Sequence, residues 1–367
     1  MINSSATLQK NFLRILIVDD SAIYRKTVRD VLTTLPGVQV VGTACDGREA
    51  IDRLPILQPD LLILDIDMPM MNGLEVLKAL PLHPHAIGAI VLSGLAQESS
   101  EITVKALELG AFDFIQKPQT SSLSHSMTAL SESLAPLIEA YRAKMPIQGR
   151  LSAQERVPLK SAINRISIEK PGTRRIRSAI VAIGISTGGP QALNIVIPQL
   201  PADLGVPVVI AQHMPSGFTF DLAKRLNGRS ALTVKEAESG EKLMANTVYI
   251  GPGGNQMRIV AGKRIGETIV EINTDSVEGG YRPSADYLFT SVAEQYLSRA
   301  TGVIMTGMGN DGTQGLRFLK EKGGRIIAQD EKTSVVYGMP RWPREAGLVD
   351  VEAPLDQIAE EICRTVR

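Results

Sequence analysis

Five short apolar runs alternate with helix-patterned spacers over the first 118 residues: Ile15–Val18, Val38–Thr43, Leu61–Leu64, Ile87–Leu92 and Phe112–Ile115. Runs that are apolar at nearly every position suit strands covered on both faces, and the spacers suit crossover helices. This alternation commits the region to an α/β fold, a doubly wound (βα)5 domain. In such sheets the polar chemistry gathers beyond the carboxyl ends of the strands. Here Asp19-Asp20-Ser21 follows the first run and Asp65-Ile66-Asp67-Met68-Pro69 closes the third. Ser93-Gly94 ends the fourth, and Lys117-Pro118 follows the fifth. Neighbouring carboxylates repel one another unless a cation or a lysine stands among them, and their hard oxygens suit Mg²⁺. Taken singly, these residues read as a helix cap, a turn and a surface charge. The set reads as a site.

After the fifth run, Leu123, Met127, Leu130, Leu134, Ile138 and Tyr141 recur at three or four residues, which predicts an amphipathic helix packing on this domain, with a kink at Pro136. His83 and His85 have no further ligand near them in sequence, so a solvated turn is expected rather than a metal site. The boundaries are a first domain at 12–142, a linker at 143–177 and a second domain at 178–367. The linker is broken by Pro146, Gly149, Pro158, Pro171 and Gly172 and carries many Lys and Arg against Glu155 and Glu169. It reads as a solvated basic tether.

The second domain turns on Val181-Ala-Ile-Gly-Ile-Ser186-Thr-Gly-Gly-Pro190, a buried strand followed by a Gly-rich turn into a helix. Such a turn exposes a serine nucleophile at a helix N-terminus, and it also cradles a phosphate. Two other strand ends decide between these. The run Val206–Ala211 leads to Gln212-His213, and Gly302–Met305 leads to Thr306-Gly-Met-Gly-Asn-Asp311-Gly. A serine, a histidine and an aspartate on one rim make a nucleophile, base and orienter, and a phosphate cradle needs neither partner. Each alone reads blandly: Ser186 as a turn residue, His213 as structural, Asp311 as a helix cap. Gly184-Ile-Ser186-Thr-Gly188 also fits the α/β-hydrolase elbow, but the order Ser, His, Asp differs from that family's, and its His-Gly-Gly-Gly motif is missing. Met257–Val260 and Thr268–Ile272 predict a β-hairpin, set into a doubly wound, mainly parallel α/β domain.

Wider composition narrows the setting. Lys+Arg and Asp+Glu both number 39, so no global charge points to nucleic acid or a membrane surface. Two cysteines, Cys45 and Cys363, make no disulfide framework, and no apolar run spans a bilayer. A polar first ten residues carry no signal core. A cytoplasmic protein, without membrane insertion or nucleic-acid partner, is expected.

Residues 13–118 resemble a two-component response-regulator receiver domain through Leu16-Ile-Val-Asp-Asp-Ser, Leu64-Asp-Ile-Asp-Met-Pro-Met-Met-Asn-Gly and Gln116-Lys-Pro. The resemblance implies that Asp65 accepts a phosphoryl group from a chemotaxis histidine kinase. It also implies Mg²⁺ held by Asp19, Asp20, Asp65 and the backbone carbonyl of Asp67, with Ser93 and Lys117 as receiver switch residues. Phe114 stands where receivers carry an aromatic switch residue, and Ser93 replaces the commoner Thr.

Residues 178–367 resemble the chemotaxis-type protein-glutamate methylesterase and glutamine deamidase family. The matching stretches are Gly-Ile-Ser186-Thr-Gly-Gly-Pro, Gln-His213-Met-Pro, Arg282-Pro-Ser-Ala-Asp286, Thr306-Gly-Met-Gly-Asn-Asp311-Gly and Tyr337-Gly-Met-Pro. The resemblance implies a phosphorylation-regulated serine hydrolase acting on glutamate methyl esters and glutamines of methyl-accepting chemoreceptors, with Ser186, His213 and Asp311 catalytic and no cofactor in that domain. It further implies a receiver that covers the active-site rim until Asp65 is phosphorylated. Arg282, Asp286 and Met308 are substrate-side or packing candidates. Ile185 for alanine and Arg341-Trp-Pro343 after Gly-Met-Pro depart from the pattern. The competing readings are a small-molecule esterase with the same triad, a non-catalytic regulator and a transcriptional output; the intact triad opposes the second. The third lacks a helix-turn-helix signal.

Overall fold

The computed structural model describes residues 12–94, 97–118, 123–145 and 176–367, and the chain divides into two units at Arg142–Ala143. In the first, the strands are β1 (Leu13–Val18), β2 (Val38–Ala44), β3 (Leu61–Asp65), β4 (Gly88–Ser93) and β5 (Asp113–Gln116). Between and after them run α1 (Ala22–Thr34), α2 (Gly47–Leu57), α3 (Gly73–Ala79), α4 (Gln97–Glu108) and α5 (Leu123–Lys144). All strand pairs are parallel, in the order β2-β1-β3-β4-β5. The winding reverses between β1 and β3, which opens a crevice at their carboxyl ends. Leu16, Val18, Leu62, Leu64 and Val91 of the sheet meet Leu54, Val76 and Leu107 of the helices in one core.

Local signals explain the helix starts. Ser21 caps α1 through the Tyr24 amide, and Asn72 with Glu75 forms a capping box on α3. Asp19 and Asp20 therefore do not cap α1, and their carboxylates remain for other work. Leu130, Leu134 and Ile138 of α5 are buried as the periodicity requires, and Leu137 is buried beside them. Tyr141 Oη donates to the Asp60 carbonyl and accepts from the Gly88 amide, tying α5 to the edges of β3 and β4. Pro136 lies inside α5 without ending it, and the helix takes in Ala143 and Lys144. The rest of the predicted linker, from 146 to 175, lies outside the described residues.

In the second unit, β6 (Ile180–Ile185), β7 (Val208–Gln212), β8 (Thr233–Glu236), β9 (Thr247–Ile250), β12 (Ala300–Ile304), β13 (Arg325–Gln329) and β14 (Val351–Ala353) build a parallel sheet. Its order is β14-β13-β12-β6-β7-β9-β8. β10 (Gln256–Ala261) and β11 (Thr268–Asn273) form the expected antiparallel hairpin. The helices are α6 (Gly189–Val196), α7 (Phe218–Asn227), α8 (Ala285–Tyr296), α9 (Thr313–Glu321), α10 (Arg341–Glu345) and α11 (Ile358–Val366). Three strands go beyond the sequence reading. β8 and β14 lie at the two edges and are short and partly polar, so they lack the fully apolar signature of the interior. β13 begins directly after the Gly323-Gly324 turn and hides behind it.

The chain leaves β6 toward β7 on one side, and β12, β13 and β14 accumulate on the other. The reversal thus falls between β6 and β12, beside Ser186. α8 lies on β6 because Gly184 has no side chain; a Cβ there would stand 2.7 Å from that of Ala285. Ala285, Phe289, Leu316 and Leu319 then close the core against Ala182 and Ile304. Among the described residues, no helix is long and apolar enough to cross a membrane.

Candidate active site

Ser186 is the first residue beyond β6, on the turn into α6. Its amide donates to the Thr306 carbonyl at 3.0 Å, and its carbonyl accepts from Gly189 at 2.7 Å, which pins the turn from both sides. His213 is the first residue beyond β7, and its amide donates to the Ile185 carbonyl at 3.0 Å. Gln212, wholly buried, sends one amide nitrogen to the carbonyls of both Ser186 and His213, each at 3.1 Å. The two strand ends are thus locked side by side.

Asp311 arrives from the other flank, in the loop after β12. Its Oδ2 stands 2.7 Å from His213 Nε2. The same carboxylate accepts from Ser284 Oγ at 2.9 Å and from the amides of Ala285 and Asp286 at 2.6 and 3.1 Å. It does not cap α9, where Gly312 holds that position. Burial pushes the Asp311 carboxyl up, but the histidine and the amide donors outweigh it and hold it below the usual carboxylate range. Asp286 sits beside it and moves the other way, to about 6, through burial and the neighbouring Asp311 charge. Asp311 is therefore the more acidic of the pair, and it faces His213.

With Nε2 committed to Asp311, the ring nitrogen left over is Nδ1, which is buried without a hydrogen-bond partner. Tyr281 lies flat on the imidazole, with ring centroids 4.4 Å apart and planes 11° from parallel. The rim loop is held by Thr306, whose amide donates to Gln329 Oε1 and whose hydroxyl donates to the Thr187 carbonyl. Met308 is half-buried on that loop, and Arg282 is exposed, donating to the Thr274 carbonyl. Ile185 is wholly buried, whereas Trp342 is 48% exposed.

Three contributors escaped the sequence reading. Ser284 is a helix-cap serine, which was legible as a cap but not as an Asp311 donor. Gln256 on the hairpin and Tyr281 before α8 carry no local signal, because their partners lie far away in the chain.

In the other unit, Asp65 ends β3 and Asp19 follows β1. Lys117 Nζ bridges Asp19 Oδ2 and Asp65 Oδ2, each at 2.8 Å. Burial is the main reason that the Asp65 carboxyl rises to about 6, with Asp19 repulsion adding to it against Lys117. Burial pulls the Lys117 ammonium down, but its two carboxylate partners win and hold it above its ordinary value. The Lys117 ammonium also lies 4.7 Å from the centre of the Tyr24 ring.

Asp19, Asp20 and Asp65 can each present a carboxylate oxygen within 4.8 Å of the others, a hard-oxygen donor set that fits a divalent cation. It is the one such acidic or histidine cluster among the described residues. His83 and His85 instead share a local hydrogen bond in an exposed turn. Ser93 is buried, with its hydroxyl 2.7 Å from Thr103 and donating to the Gly94 carbonyl. Phe114 is half-buried against the core, and Asp67 is exposed beyond β3.

Family models match both units: "Response regulator receiver domain" over residues 15–128 and "CheB methylesterase" over 181–362. The Thermotoga maritima CheB methylesterase catalytic domain is a structural neighbour with a TM-score of 0.50 and 42% identity, covering 51% of this chain and 98% of that one. The protein-glutamate methylesterase/protein-glutamine glutaminase of Bacillus subtilis is 41% identical over 97% of this chain and 99% of its own. That of Desulfotalea psychrophila is 47% identical over 97% and 99%. Identity at this level over almost the whole length, with a receiver and a hydrolase in the same order, shows that the chain belongs to the protein-glutamate methylesterase/protein-glutamine glutaminase family.

Proposed function

We propose that this chain removes methyl groups from glutamate methyl esters, and deamidates glutamines, on methyl-accepting chemoreceptors, and that phosphorylation of Asp65 by a chemotaxis histidine kinase raises this activity. The observation that carries the reading is the 2.7 Å contact between His213 and Asp311, with the second imidazole nitrogen buried and unpartnered on the strand end beside Ser186. A structural histidine has both nitrogens satisfied or solvated. This one keeps a nitrogen in reserve.

Nδ1 of His213 takes the Ser186 proton as Oγ attacks the side-chain carbonyl carbon of the ester. Asp311 stabilises the imidazolium that results. The oxyanion is held by backbone N–H groups of the Ser186 turn and of Met308-Gly309. The imidazolium returns its proton to the departing methoxide, methanol leaves, and water then releases the glutamate by the same relay. A glutamine follows the same route and yields ammonia.

Control rests on the receiver. Asp19, Asp20, Asp65 and the Asp67 carbonyl hold Mg²⁺, which supplies charge neutralisation at the phosphoryl oxygens. Lys117 provides a counter-charge. Ser93 provides a hydroxyl, which must leave Thr103 to reach the phosphoryl group and so links the event to α4. Both cysteines are unpaired, as a reducing cytoplasm favours.

The test is methanol release from methylated receptor membranes by the full-length protein, with and without a small-molecule phosphodonor. Release that rises with phosphodonor and vanishes in Ser186→Ala is expected. A folded protein that releases no methanol under either condition overturns the reading.

A further inference from the structure

The ring of Tyr281 covers the face of the His213 imidazole, 4.4 Å away and nearly parallel to it. Two buried groups set this ring in place. Gln256, wholly buried on β10, donates its side-chain amide to the Tyr281 carbonyl at 2.7 Å and accepts the Ser284 amide at 2.9 Å. One glutamine thus clamps both ends of the segment that carries Tyr281 into α8. At its far end, the Tyr281 hydroxyl lies against Gly309, where a Cβ would stand 2.9 Å from it and where φ is +80°. Only glycine satisfies both demands. Tyr281 therefore spans the site from the imidazole to the rim loop.

We propose that Tyr281 is a positioning residue for the proton transfer: its ring holds the imidazole in the plane that presents Nδ1 to Ser186 and favours the imidazolium as it forms. This rests on the triad reading of Ser186, His213 and Asp311. An aromatic face attracts a cation within about 6 Å of its centre, and the attraction is strongest where water is excluded. The His213 side chain is only 10% exposed, so the site meets that condition. Asp311 acts in the ring plane at Nε2 and Tyr281 acts on the ring face, so each fixes a different rotation of the ring. The charged or titratable groups around the imidazole are Asp311 from the loop after β12, Tyr281 itself, and Asp286 from α8 behind Asp311. Gln212 and Ser186, from β7 and the β6 turn, are neutral.

The experiment compares full-length wild type, Tyr281→Phe and Tyr281→Leu. The His213 ring resonance, assigned by its loss in His213→Gln, is followed against pH in histidine-labelled protein, and kcat and KM for methanol release are measured across the same range. Tyr281→Phe keeps the ring and is expected to match wild type in titration and within about threefold in kcat. Tyr281→Leu is expected to move both the His213 titration and the acid limb of kcat/KM down by roughly half a pH unit. It should also lower kcat about tenfold with KM little changed. A Leu variant that loses rate without moving either midpoint assigns Tyr281 to packing alone and overturns the proposal, as does a Leu variant with wild-type kcat. If wild type releases no methanol, the substrate reading fails, and the histidine titration still decides the role of Tyr281.

Discussion

Asp311 Oδ2 lies 2.7 Å from His213 Nε2, and the strand that carries Ser186 runs between the two strands that bring them. β12 delivers the aspartate, β7 the histidine, and β6 separates them, so the pair closes over the end of the serine's strand. Asp311 accepts four hydrogen bonds in doing this, three of them from the start of α8. Asp311→Asn places an amide NH₂ against donors that need an acceptor, or else withdraws the acceptor from His213. A fall in kcat of roughly 10²–10⁴ is expected, measured as methanol release by a variant whose unfolding remains cooperative.

Ser186→Ala and His213→Ala should each lower esterase activity by roughly 10⁴ or more, and the double variant should lose little beyond either single one. Groups that act as one relay do not contribute additively. Losses that multiply in the double variant would show that the two side chains work independently.

Gly307 stands where a Cβ would lie 2.4 Å from Met339 Sδ and 2.7 Å from the Cβ of Ser186. The methionine end can yield, but the serine is pinned by its backbone bonds to Thr306 and Gly189. Gly307→Ala is expected to displace Ser186 and lower kcat at least tenfold, about the effect of an ångström-scale misplacement. A crystal structure of the variant with kinetics alongside checks this.

Asp65 is buried, and its carboxyl is raised from 3.8 to about 6. The folded state thus binds the proton more tightly than the unfolded chain. The stability from that proton is full below about pH 4 and is lost as pH rises through 6. Asp65→Asn removes this neutral-pH penalty and should stabilise the receiver by on the order of 2 kcal/mol at pH 7, with the gain vanishing below pH 4. Denaturant unfolding at both pH values, with divalent cations chelated, gives the answer. The same variant should leave methanol release indifferent to phosphodonor.

Removing divalent cations with a chelator should abolish stimulation by phosphodonor while leaving the basal esterase rate unchanged, because the acidic cluster belongs to the receiver and not to the Ser186 site. Basal activity that falls with chelation would point to a metal at the hydrolase instead.

Much of this architecture was legible in the amino-acid order because its causes are local. Ile180–Ile185 and Leu61–Leu64 are short, apolar at every position and closed by turn residues, which suits a strand covered on both faces. The glycines after Ser186 and the Asp67-Met68-Pro69 turn after Asp65 mark where those strands must stop. The hairpin of β10 and β11 followed from two alternating runs around a glycine turn. The short edge strands β8 and β14 were not legible, since partial exposure leaves them no distinctive pattern. Nor did periodicity reveal that the sheet reverses between β6 and β12, that α8 would supply three of Asp311's donors, or that Tyr281 would lie on His213. Those relations join residues tens of positions apart in the chain, as His213 and Tyr281 are. Local propensity records only what each segment can become. Which strand ends become neighbours is decided when the two faces of the sheet are covered, and that packing exists only in the folded chain.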